Sequence, residues 1–435
     1  MIGAGDIFKA YDTVDHETMT KAYDKTNVDR LFTAACIREV RNSQGKIRLP
    51  SLEPSRFIKR TRSLFQGDPS APIAFNITLD TMVVKPFLKH ARAMHWGFEA
   101  QHEDLDTLQD SLSGERQAKR TRYNTERIPL LLFADNFWLI GTSPRQLTMM
   151  ARKWHELLHQ SGFGVDLSDW TWTSTALEHE ASEIRLPNLW PTLLAKPSDS
   201  AELLVNHEPR SGAIKVLGSM ISATGDCTCE VEHRIVKAWA SFHKHRELLM
   251  ARSGSAYQRL DFLRRVVLPC LLFNIGTCHL SKAQLRRLRG VEDKMMRRVF
   301  RWYFKDEFIG EDPKQDVSDY MAVMAHKLDV YRQRRGYRRW DEEALVRSYT
   351  WAGHVARFSK YNANRLALKA LCYRDINYLR TLERLYGQQC HGRRIRVWRW
   401  ERQFSAILGD HWQSIALEGE SWEDSMNYWL IRRQH

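Results

Sequence analysis

The sequence predicts an α+β fold in the first half of the chain and a helical fold in the second half. Two apolar runs, residues 128–133 and 137–140, are separated by an Ala-Asp-Asn triplet, which is typical of a buried β-hairpin. From Glu230 onward, apolar residues recur every three or four positions, as they do on one face of a helix. Residues 281–284, Ser-Lys-Ala-Gln, match a capping box that marks the start of a further helix.

The first sixty-odd residues predict mixed secondary structure. A helix is expected near residues 17–40, and residues 41–45, with Asn, Ser and Gly, indicate a turn. Residues 46–49 and 56–64 are expected to form strands.

Segment 65–72, Phe-Gln-Gly-Asp-Pro-Ser-Ala-Pro, has the Gly and Pro content of a rigid elbow. It is expected to open a helix from about Ile73, which Pro86 breaks or ends. Residues 101–127 are charged and polar, so they predict an exposed insertion or loop before the hairpin.

Residues 143–146 match a second capping box, with Pro144 at the first helical position. Gly162 lies where the cap at the end of that helix belongs. Residues 214–221 predict a strand with a break at Gly218. The apolar residues expected to face inward on the three main helices are Leu147, Met150, Trp154, Leu157 and Leu158; Ile235, Ala238, Trp239 and Phe242; and Leu285, Leu288, Met295, Val299 and Trp302.

The net charge of +14 is concentrated in the second half of the chain. Residues 1–229 contain 27 Lys and Arg against 28 Asp and Glu, a net charge of −1, whereas residues 230–435 contain 39 against 24, a net charge of +15. A basic excess confined to one half favours binding of a polyanion there. Nucleic acid is the favoured partner over an anionic membrane surface or no partner.

Composition excludes several other classes of protein. The 43% hydrophobic content indicates a globular chain, and the seven cysteines are odd in number and scattered, so they do not form a disulfide framework. The spacing of Cys227, Cys229 and Cys390 does not suggest a zinc site. The longest apolar runs, near residues 128–133 and 266–275, are too short to span a bilayer. We therefore expect an intracellular protein, nuclear or cytoplasmic, that is neither secreted nor membrane-spanning.

Asp135, in the turn of the predicted hairpin, has two interpretations. A carboxylate held on a rigid apolar support is a suitable hard-oxygen ligand for Mg²⁺. Ala-Asp-Asn is also an ordinary turn sequence, since Asn tolerates a left-handed backbone. The turn alone does not decide between them.

Several motifs, in a fixed order, resemble the reverse transcriptase domain of non-LTR (LINE-type) retrotransposons. Residues 6–12, DIFKAYD, resemble the first motif of that family's palm, and residues 66–72, QGDPSAP, are similar to its Gln-Gly-Asp-Pro-x-Ser-Pro motif. Residues 133–136, FADN, resemble its Phe/Tyr-Ala-Asp-Asp hairpin.

The resemblance continues along the chain. Residues 162–169 fall where the family has a Gly…Asn…Lys segment, and residues 216–218 fit its primer-grip strand. Residues 268–276 look like its thumb segment, and residues 351–357, WAGHVAR, like the Trp-x-Gly-His-Val-x-Arg motif found downstream. The resemblance therefore covers almost the whole chain.

The resemblance implies a right-hand polymerase palm over residues 1–225, with the fingers largely absent and the polar insertion near residues 101–127. It further implies a helical thumb over residues 226–310 and a basic, mainly helical region over residues 311–435. The implied partners are an RNA template, a DNA primer or another nucleic acid, together with deoxynucleoside triphosphates and two Mg²⁺ ions. No membrane partner is implied.

The resemblance also assigns roles to individual residues. Two divalent ions in such an enzyme neutralise both the attacking and the leaving oxygens, so two distant carboxylates must meet. The implied catalytic residues are Asp6, Asp135 and Asn136, with Asp6 and Asp135 as the metal ligands. The residues implied to contact nucleotide, template or primer are Tyr11 against the sugar; Gln66, Gly67, Asp68 and Pro69; and Leu217 and Gly218 in the primer grip. Taken alone, Tyr11 is more typical of a core aromatic, whereas Asp12 and Asp15 are typical of solvated or capping carboxylates.

Four features depart from the family's pattern. Asn136 replaces the second aspartate of the hairpin, so one negative charge is missing beside the expected metals. Asp169 replaces a lysine that faces the leaving pyrophosphate. Ser63 and Ala71 replace a Gly and a Ser that flank the Gln-Gly element. Only five residues precede Asp6, where the family has its fingers and endonuclease. We therefore expect either a truncated copy or a chain that keeps the fold without catalysis.

Three functions are weighed. The first is an RNA-directed DNA polymerase with two-metal nucleotidyl transfer, truncated and of doubtful activity. The alternative is a non-catalytic nucleic-acid-binding remnant, and the third is a protein scaffold, which the charge distribution disfavours. The basic surface expected to contact the nucleic-acid backbone consists of Arg286, Arg289, Lys294, Arg297, Arg298 and Arg301, together with Arg334, Arg335, Arg338, Arg339 and the run 393–400.

Overall fold

The computed structural model shows a mainly helical protein with several small sheets. Contacts divide the chain into two compact units, the first comprising Met1–Ala100 and Thr125–Ile214 and the second comprising Gln101–Asn124 and Lys215–His435. The structure describes residues 1–26, 28–41, 44–45, 56–59, 61–64, 67–103, 123–165, 171–173, 213–222, 226–301, 313–360, 400, 402–409 and 412–434.

Short strands and helices alternate up to residue 173. They are β1 (Ile2–Phe8), α1 (Ala10–Thr13), α2 (His16–Asp24), α3 (Arg30–Arg41), β2 (Gln44–Gly45), β3 (Ile58–Lys59), α4 (Ala71–Leu79), a π-helical segment (Asp80–Val84), α5 (Lys85–Ala93), β4 (Phe98–Glu103), β5 (Tyr123–Ile128), β6 (Leu130–Phe133), β7 (Asn136–Ile140), α6 (Pro144–Gln160), β8 (Gly164–Val165) and β9 (Thr171–Thr173).

Strand β1 is the centre of an antiparallel sheet. It pairs with β7 on one side and with both β8 and β9 on the other, and β6 extends the sheet beyond β7. The core of the first unit is formed where this sheet meets α4, α5 and α6, with Phe75, Phe87, Phe137 and Trp154 fully buried.

The predicted hairpin is confirmed, with β6 and β7 joined by the two-residue turn Ala134-Asp135. The expectation that both strands are buried is only half right. Phe137 and Leu139 of β7 are buried, but the side chains of β6 are half-buried and Phe133 is 60% exposed. The reason is that, among the described strands, β7 has a neighbour on each side whereas β6 pairs only with β7.

The helix expected near residues 17–40 is two helices, α2 and α3, because the chain leaves helical geometry after Asp24. Asp15 caps α2 by accepting a hydrogen bond from the Thr18 amide at 2.8 Å, which confirms its predicted capping role. Among the described residues of 56–64, Ile58–Lys59 forms a strand, and its partner is Gln44–Gly45 from the expected turn. Residues 46–49 lie outside the described residues.

The helix after the elbow begins at Ala71, two residues before the predicted start. Of the two predicted effects of Pro86, a break in the α-helix is found just before it, whereas an end of the helical run is not. The chain widens into the π-helical segment, and the Lys85 amide bonds back to the Asp80 carbonyl before α5 continues. Pro86 thereby lies in the first turn of a new α-helix, where its missing N–H is tolerated. Of the predicted insertion, residues 104–122 lie outside the described residues, while β4 and β5 form its ends.

Helix α6 begins and ends where predicted, although its cap differs in detail. The Ser143 hydroxyl accepts a hydrogen bond from the Gln146 amide, but the Gln146 side chain accepts from Thr142 at 2.9 Å instead of completing the capping box. The predicted stripe is buried, and Gly162 has the left-handed φ of 78° that closes the helix.

The chain from Ala213 onward is mainly helical. Its elements are β10 (Ala213–Val216), β11 (Ser219–Ser222), α7 (Thr228–Lys244), α8 (Arg246–Leu249), α9 (Ala256–Val266), α10 (Leu268–Leu271), a 3₁₀ turn (Ile275–Thr277), α11 (Lys282–Phe300), α12 (Pro313–Arg335), α13 (Trp340–Lys360), α14 (Arg402–Leu408), α15 (Trp412–Leu417) and α16 (Gly419–Gln434).

The single strand expected over residues 214–221 is a hairpin, with β10 and β11 joined at Leu217 and Gly218. Both turn residues have positive φ, 47° and 85°, the backbone that a two-residue hairpin turn requires. The capping box at Ser281 is confirmed in both halves. The predicted inward residues of α7 and α11 pack into the core, except that Trp239 is only partly buried and Trp302 lies outside the described residues.

One hydrophobic cluster runs from Val231 in α7 to Trp429 in α16. The predicted thumb (226–310) and C-terminal region (311–435) therefore share a core and fall in one compact unit. Among the described residues, no helix is long and apolar enough to cross a membrane.

Candidate active site and nucleic-acid interface

The register of β1 and β7 brings Asp6 next to the turn that holds Asp135. Asp6 lies opposite Asn136, and the Ile7 amide donates to the Asp135 carbonyl at 3.1 Å. Directly opposed residues of an antiparallel pair place their side chains on the same face, with Cβ atoms about 5 Å apart. The side chains of Asp6 and Asn136 therefore share one face, and Asp135 immediately precedes Asn136.

The tip of this hairpin is held by local geometry. Ala134 has a left-handed φ of 53°, which closes the two-residue turn. The Asn136 side-chain amide donates to Asp135 Oδ1 at 3.2 Å. This hydrogen bond orients the Asp135 carboxylate and leaves the Asn136 carbonyl oxygen as a further oxygen donor.

The opposite face of the same strands is the hydrophobic support. Phe137 is fully buried and its ring contacts Trp154 of α6 at a centroid distance of 5.3 Å. Gly5, opposite Phe137, leaves room for that ring, since an added Cβ would lie 2.7 Å from Phe137 Cζ. Sequence reasoning did not identify Gly5, because its role depends on a residue more than a hundred positions away.

Tyr11 lies between the strand that carries Asp6 and the helix after the elbow. Its ring packs against Phe75 of α4 with a centroid distance of 5.1 Å, and its carbonyl accepts from the Leu64 amide at 2.8 Å. The side chain is half-buried at the edge of the core. This packing accounts for Tyr11 as a core aromatic and leaves part of the ring accessible.

The elbow before α4 is closed by its own side chains. Asp68 Oδ1 accepts hydrogen bonds from both the amide and the hydroxyl of Ser70 at 2.8 Å, and Gly67 has a φ of 94°. Pro69 is exposed, and Gln66 lies outside the described residues. The Asp68 carboxylate is therefore used to shape the turn.

Within the described residues there is no cluster of three or more His, Cys, Asp or Glu side chains that could hold a metal ion. The oxygen donors at the hairpin tip are two carboxylates, Asp6 and Asp135, and the amide oxygen of Asn136. These are hard oxygen donors of the kind that Mg²⁺ prefers, but they carry one charge fewer than a set of three carboxylates. Asp169 lies outside the described residues.

The turn at Leu217 and Gly218 is fastened to α7 by a buried ion pair that sequence reasoning missed. Arg234 and Glu230 are paired at 2.6 Å with both side chains buried. Arg234 also donates to the Gly218 carbonyl, and Glu230 accepts from the Met220 amide at 2.6 Å. The i, i+4 spacing of Glu and Arg was the available signal, but it does not show that the pair is buried.

The predicted basic surface on α11 is only partly exposed. Arg289 is paired with the buried carboxylate of Asp341 at 2.6 Å, which raises the pKa of its guanidinium. Arg298 and Lys294 lie over the Trp239 ring. The remaining predicted cations, Arg286, Arg297 and Arg301, are exposed or half-exposed, and Arg297 and Arg301 donate to the carbonyls of Asp293 and Met250.

Some of the predicted cations after α11 form ion pairs, and others have exposed side chains. Arg335 is paired with Asp261 at 3.3 Å and Arg339 with Asp329 at 2.9 Å, whereas Arg334 and Arg338 have exposed side chains. Residues 393–399 lie outside the described residues. Trp400, expected to stack on bases, instead donates its indole N–H to the Gly276 carbonyl at 2.9 Å.

Comparison with known proteins gives limited information. No protein-family profile matches the chain, and no curated protein matches it. Among solved structures, the telomerase of Candida albicans in complex with a fragment of telomeric RNA is similar, with 12% sequence identity and a TM-score of 0.24 over 80% of this chain. The alignment covers 47% of the telomerase chain. A TM-score this low does not define a common fold.

Proposed function

We propose that the chain carries the palm and thumb of an RNA-directed DNA polymerase related to those of non-LTR retrotransposons. The observation that supports this most directly is the pairing of Asp6 with Asn136, which sets two carboxylates from distant parts of the sequence beside one hairpin tip. A polymerase needs this convergence, whereas a simple hairpin does not.

Asp6 and Asp135 are the proposed ligands of divalent cations, with the Asn136 carbonyl oxygen as a weaker neutral donor. When bound, such cations supply charge neutralisation at the attacking and leaving oxygens of nucleotidyl transfer. The hydrogen bond from Asn136 keeps Asp135 oriented at the rigid tip. The accessible part of the Tyr11 ring is the proposed contact to the nucleotide sugar. Gln66, Gly67, Asp68 and Pro69 are proposed to contact the template and incoming nucleotide, and Leu217 and Gly218 are proposed to contact the primer.

Primer extension tests this proposal. The full chain is incubated with an RNA template, an annealed DNA primer, deoxynucleoside triphosphates and Mg²⁺. We expect Mg²⁺-dependent extension that Asp6→Asn and Asp135→Asn each reduce by at least about 100-fold, as expected for loss of a transition-state charge interaction. Asp12→Asn is the matched control, because among the described hydrogen bonds the Asp12 carboxylate accepts only from the Ser63 hydroxyl, at 3.5 Å. Extension that survives both substitutions, or no extension even with Asn136→Asp and with a fingers segment restored, would refute the proposal.

Binding of a metal can be measured without activity. Mn²⁺ added to the chain is followed by its paramagnetic resonance signal, which decreases when the ion is bound. We expect binding that Asp6→Asn and Asp135→Asn weaken and Asp12→Asn does not. Equal binding by all four proteins would exclude the proposed ligands.

A second function, nucleic-acid binding without catalysis, is favoured by the charge of residues 230–435. Arg286 and Lys294 have exposed side chains on α11. Phosphate contacts release counterions, so the affinity for duplex should fall steeply with salt, and each lost contact should reduce the slope by about one. We expect Arg286→Ala and Lys294→Ala each to reduce the salt slope by about one, and Lys89→Ala, an exposed control on α5, to leave it unchanged. An affinity that hardly changes with salt would contradict this function.

A further inference from the structure

Helix α13 carries the motif of residues 351–357, and its packing explains only half of that motif. Ala352, Val355 and Ala356 are buried. Gly353 lies directly beneath the Trp422 indole, which an added methyl group would overlap. The small residues of the motif therefore let α13 pack closely against α16.

The outer face of α13 carries an aromatic pair that the core does not use. Trp351 is 43% exposed, and its ring stacks on the exposed His354 with a centroid distance of 5.5 Å and an interplanar angle of 27°. The accessible part of this ring is a large apolar surface of the kind that is enriched at binding interfaces.

Two arginines flank this pair on the same helix. Arg347 donates to the Leu272 carbonyl and Arg357 to the Ala416 carbonyl, each at 3.1 Å, so both guanidinium groups are held in place. In the part of the chain that the structure describes, neither forms an ion pair with a carboxylate. Ten residues of helix separate them by about 15 Å. Together, Arg347, Trp351, His354 and Arg357 are called the Trp351 face.

We propose that the Trp351 face binds single-stranded nucleic acid. An unstacked base would stack on the aromatic pair, and phosphates on either side would contact the two arginines. The net charge of +15 over residues 230–435 favours a polyanion over a neutral protein surface. A duplex cannot supply an unstacked base, so single strands should be preferred. The Trp351 face contains none of the candidate active-site residues, and its proposed role does not depend on catalysis.

Fluorescence anisotropy with a labelled single-stranded oligonucleotide, without nucleotides or Mg²⁺, tests the proposal on the full chain. We expect Trp351→Ala to weaken binding about tenfold, as for loss of one base-stacking contact, and Trp351→Phe to weaken it less. Arg347→Ala should reduce the salt slope by about one, and Arg347→Lys should keep it. Because Trp351 is only 43% exposed and so also packs against its neighbours, the melting temperature of Trp351→Ala is measured as well, and Trp351→Phe separates loss of stacking from loss of packing.

Tyr428→Ala, which removes a 51% exposed aromatic from α16, is the matched control and should bind normally. The proposal would be overturned if Trp351→Ala left the affinity unchanged, or if it weakened binding of duplex and of single strand equally. It would also be overturned if the substitution abolished self-association of the chain and not nucleic-acid binding. Photo-crosslinks from a 4-thiouridine oligonucleotide should fall within residues 347–357, and crosslinks confined to α11 would also overturn it. If the chain shows no primer extension but its binding of single strands depends on Trp351, the polymerase proposal is refuted and the proposal for the Trp351 face stands.

Discussion

Asn136 determines how strongly the hairpin tip can hold a cation. A carboxylate about 4 Å from a dication contributes up to roughly 8 kcal/mol before desolvation at an effective dielectric near 20, and desolvation offsets much of that. Asn136 gives up that attraction and instead donates a hydrogen bond to Asp135. The proposed site therefore has one attractive charge fewer than a set of three carboxylates, and a cation bound there would be held more weakly.

Asn136→Asp should make the chain less stable without divalent cations and more strongly stabilised by them. Without divalent cations the melting temperature should fall, because a third carboxylate is added beside Asp6 and Asp135 and a hydrogen-bond donor is lost. With Mg²⁺ or Mn²⁺ the stabilisation should be larger than in the parent chain, as for any ligand that binds the folded state more tightly. Thermal unfolding with and without metal measures both effects. Asn76→Asp, at an exposed position of α4, should show neither. A metal response no larger than the parent's would contradict the ligand assignment.

Gly5→Ala tests the hydrophobic support beneath the tip. The added methyl group meets the buried Phe137 ring at 2.7 Å, so overpacking should lower the unfolding free energy by about 1–3 kcal/mol in urea denaturation. In Gly290→Ala the new methyl group has no neighbour within 4 Å, and helix propensity should raise stability by up to about 1 kcal/mol. Equal effects of the two substitutions would show that β1 and β7 are not packed as described.

At the scale of elements, the β10–β11 hairpin is held by α7 and by the two residues Phe273 and Asn274 that follow α10. Glu230 and Arg234 bind its backbone, and the Arg234 guanidinium lies over the Phe273 ring at 4.8 Å. Asn274 donates to Ser219 at 2.9 Å. A two-stranded sheet is marginal alone, so these contacts give the hairpin its rigidity.

Arg234→Met should therefore cost far more than loss of an exposed ion pair. It leaves the Glu230 carboxylate buried without its counter-charge, and we expect a loss of about 3–5 kcal/mol in the unfolding free energy. Arg287→Met, which breaks the largely exposed pair with Glu232, should cost less than about 1 kcal/mol. The double variant Glu230→Gln/Arg234→Met should recover part of the loss. A cost for Arg234→Met no greater than that for Arg287→Met would contradict the described packing.

At the scale of the whole molecule, each unit has its own hydrophobic core, and each contains a buried titratable group whose pKa is shifted in the opposite direction to the other. In the first unit, burial lowers the pKa of His155 from 6.5 to about 4, so the folded state holds it neutral. In the second unit, burial raises the pKa of Glu292 from 4.5 to about 7, against the opposing effect of Arg332 and the Trp340 amide. Folding thus disfavours a proton on His155 and favours one on Glu292.

The opposite pKa shifts of His155 and Glu292 predict opposite dependences of stability on pH. The contribution of His155 is present above pH 6.5 and is lost as the pH falls toward 4, whereas that of Glu292 is present below pH 4.5 and is lost as the pH rises through 7. Segment-resolved hydrogen exchange from pH 4.5 to 7 should show the first unit gaining protection and the second losing up to about 3 kcal/mol. Glu292→Gln should flatten only the second response. Parallel responses in both units would contradict the two assignments.

Local features of the fold were predictable because the interactions that produce them span a few residues. The caps of α6 and α11, the left-handed Gly162 and the apolar stripes of the helices all follow from contacts within four positions along the chain. The failures were places where packing overrides local preference. Pro86 does not end the helical run because it lies in the first turn of α5, after the π-helical segment, and residues 214–221 form a hairpin because β10 and β11 pair with each other.

The sequence by itself determined the α+β-then-helical order, the hairpin that holds Asp135, and the concentration of positive charge after residue 230. These depend on composition and on spacing along the chain. Only the tertiary structure decided that Asp6 meets Asn136, that Arg289 is engaged by a buried carboxylate and that Trp351 faces outward. Such pairings join residues tens to more than a hundred positions apart, and the side chains that satisfy a charge or bury a ring are fixed only when the chain is packed.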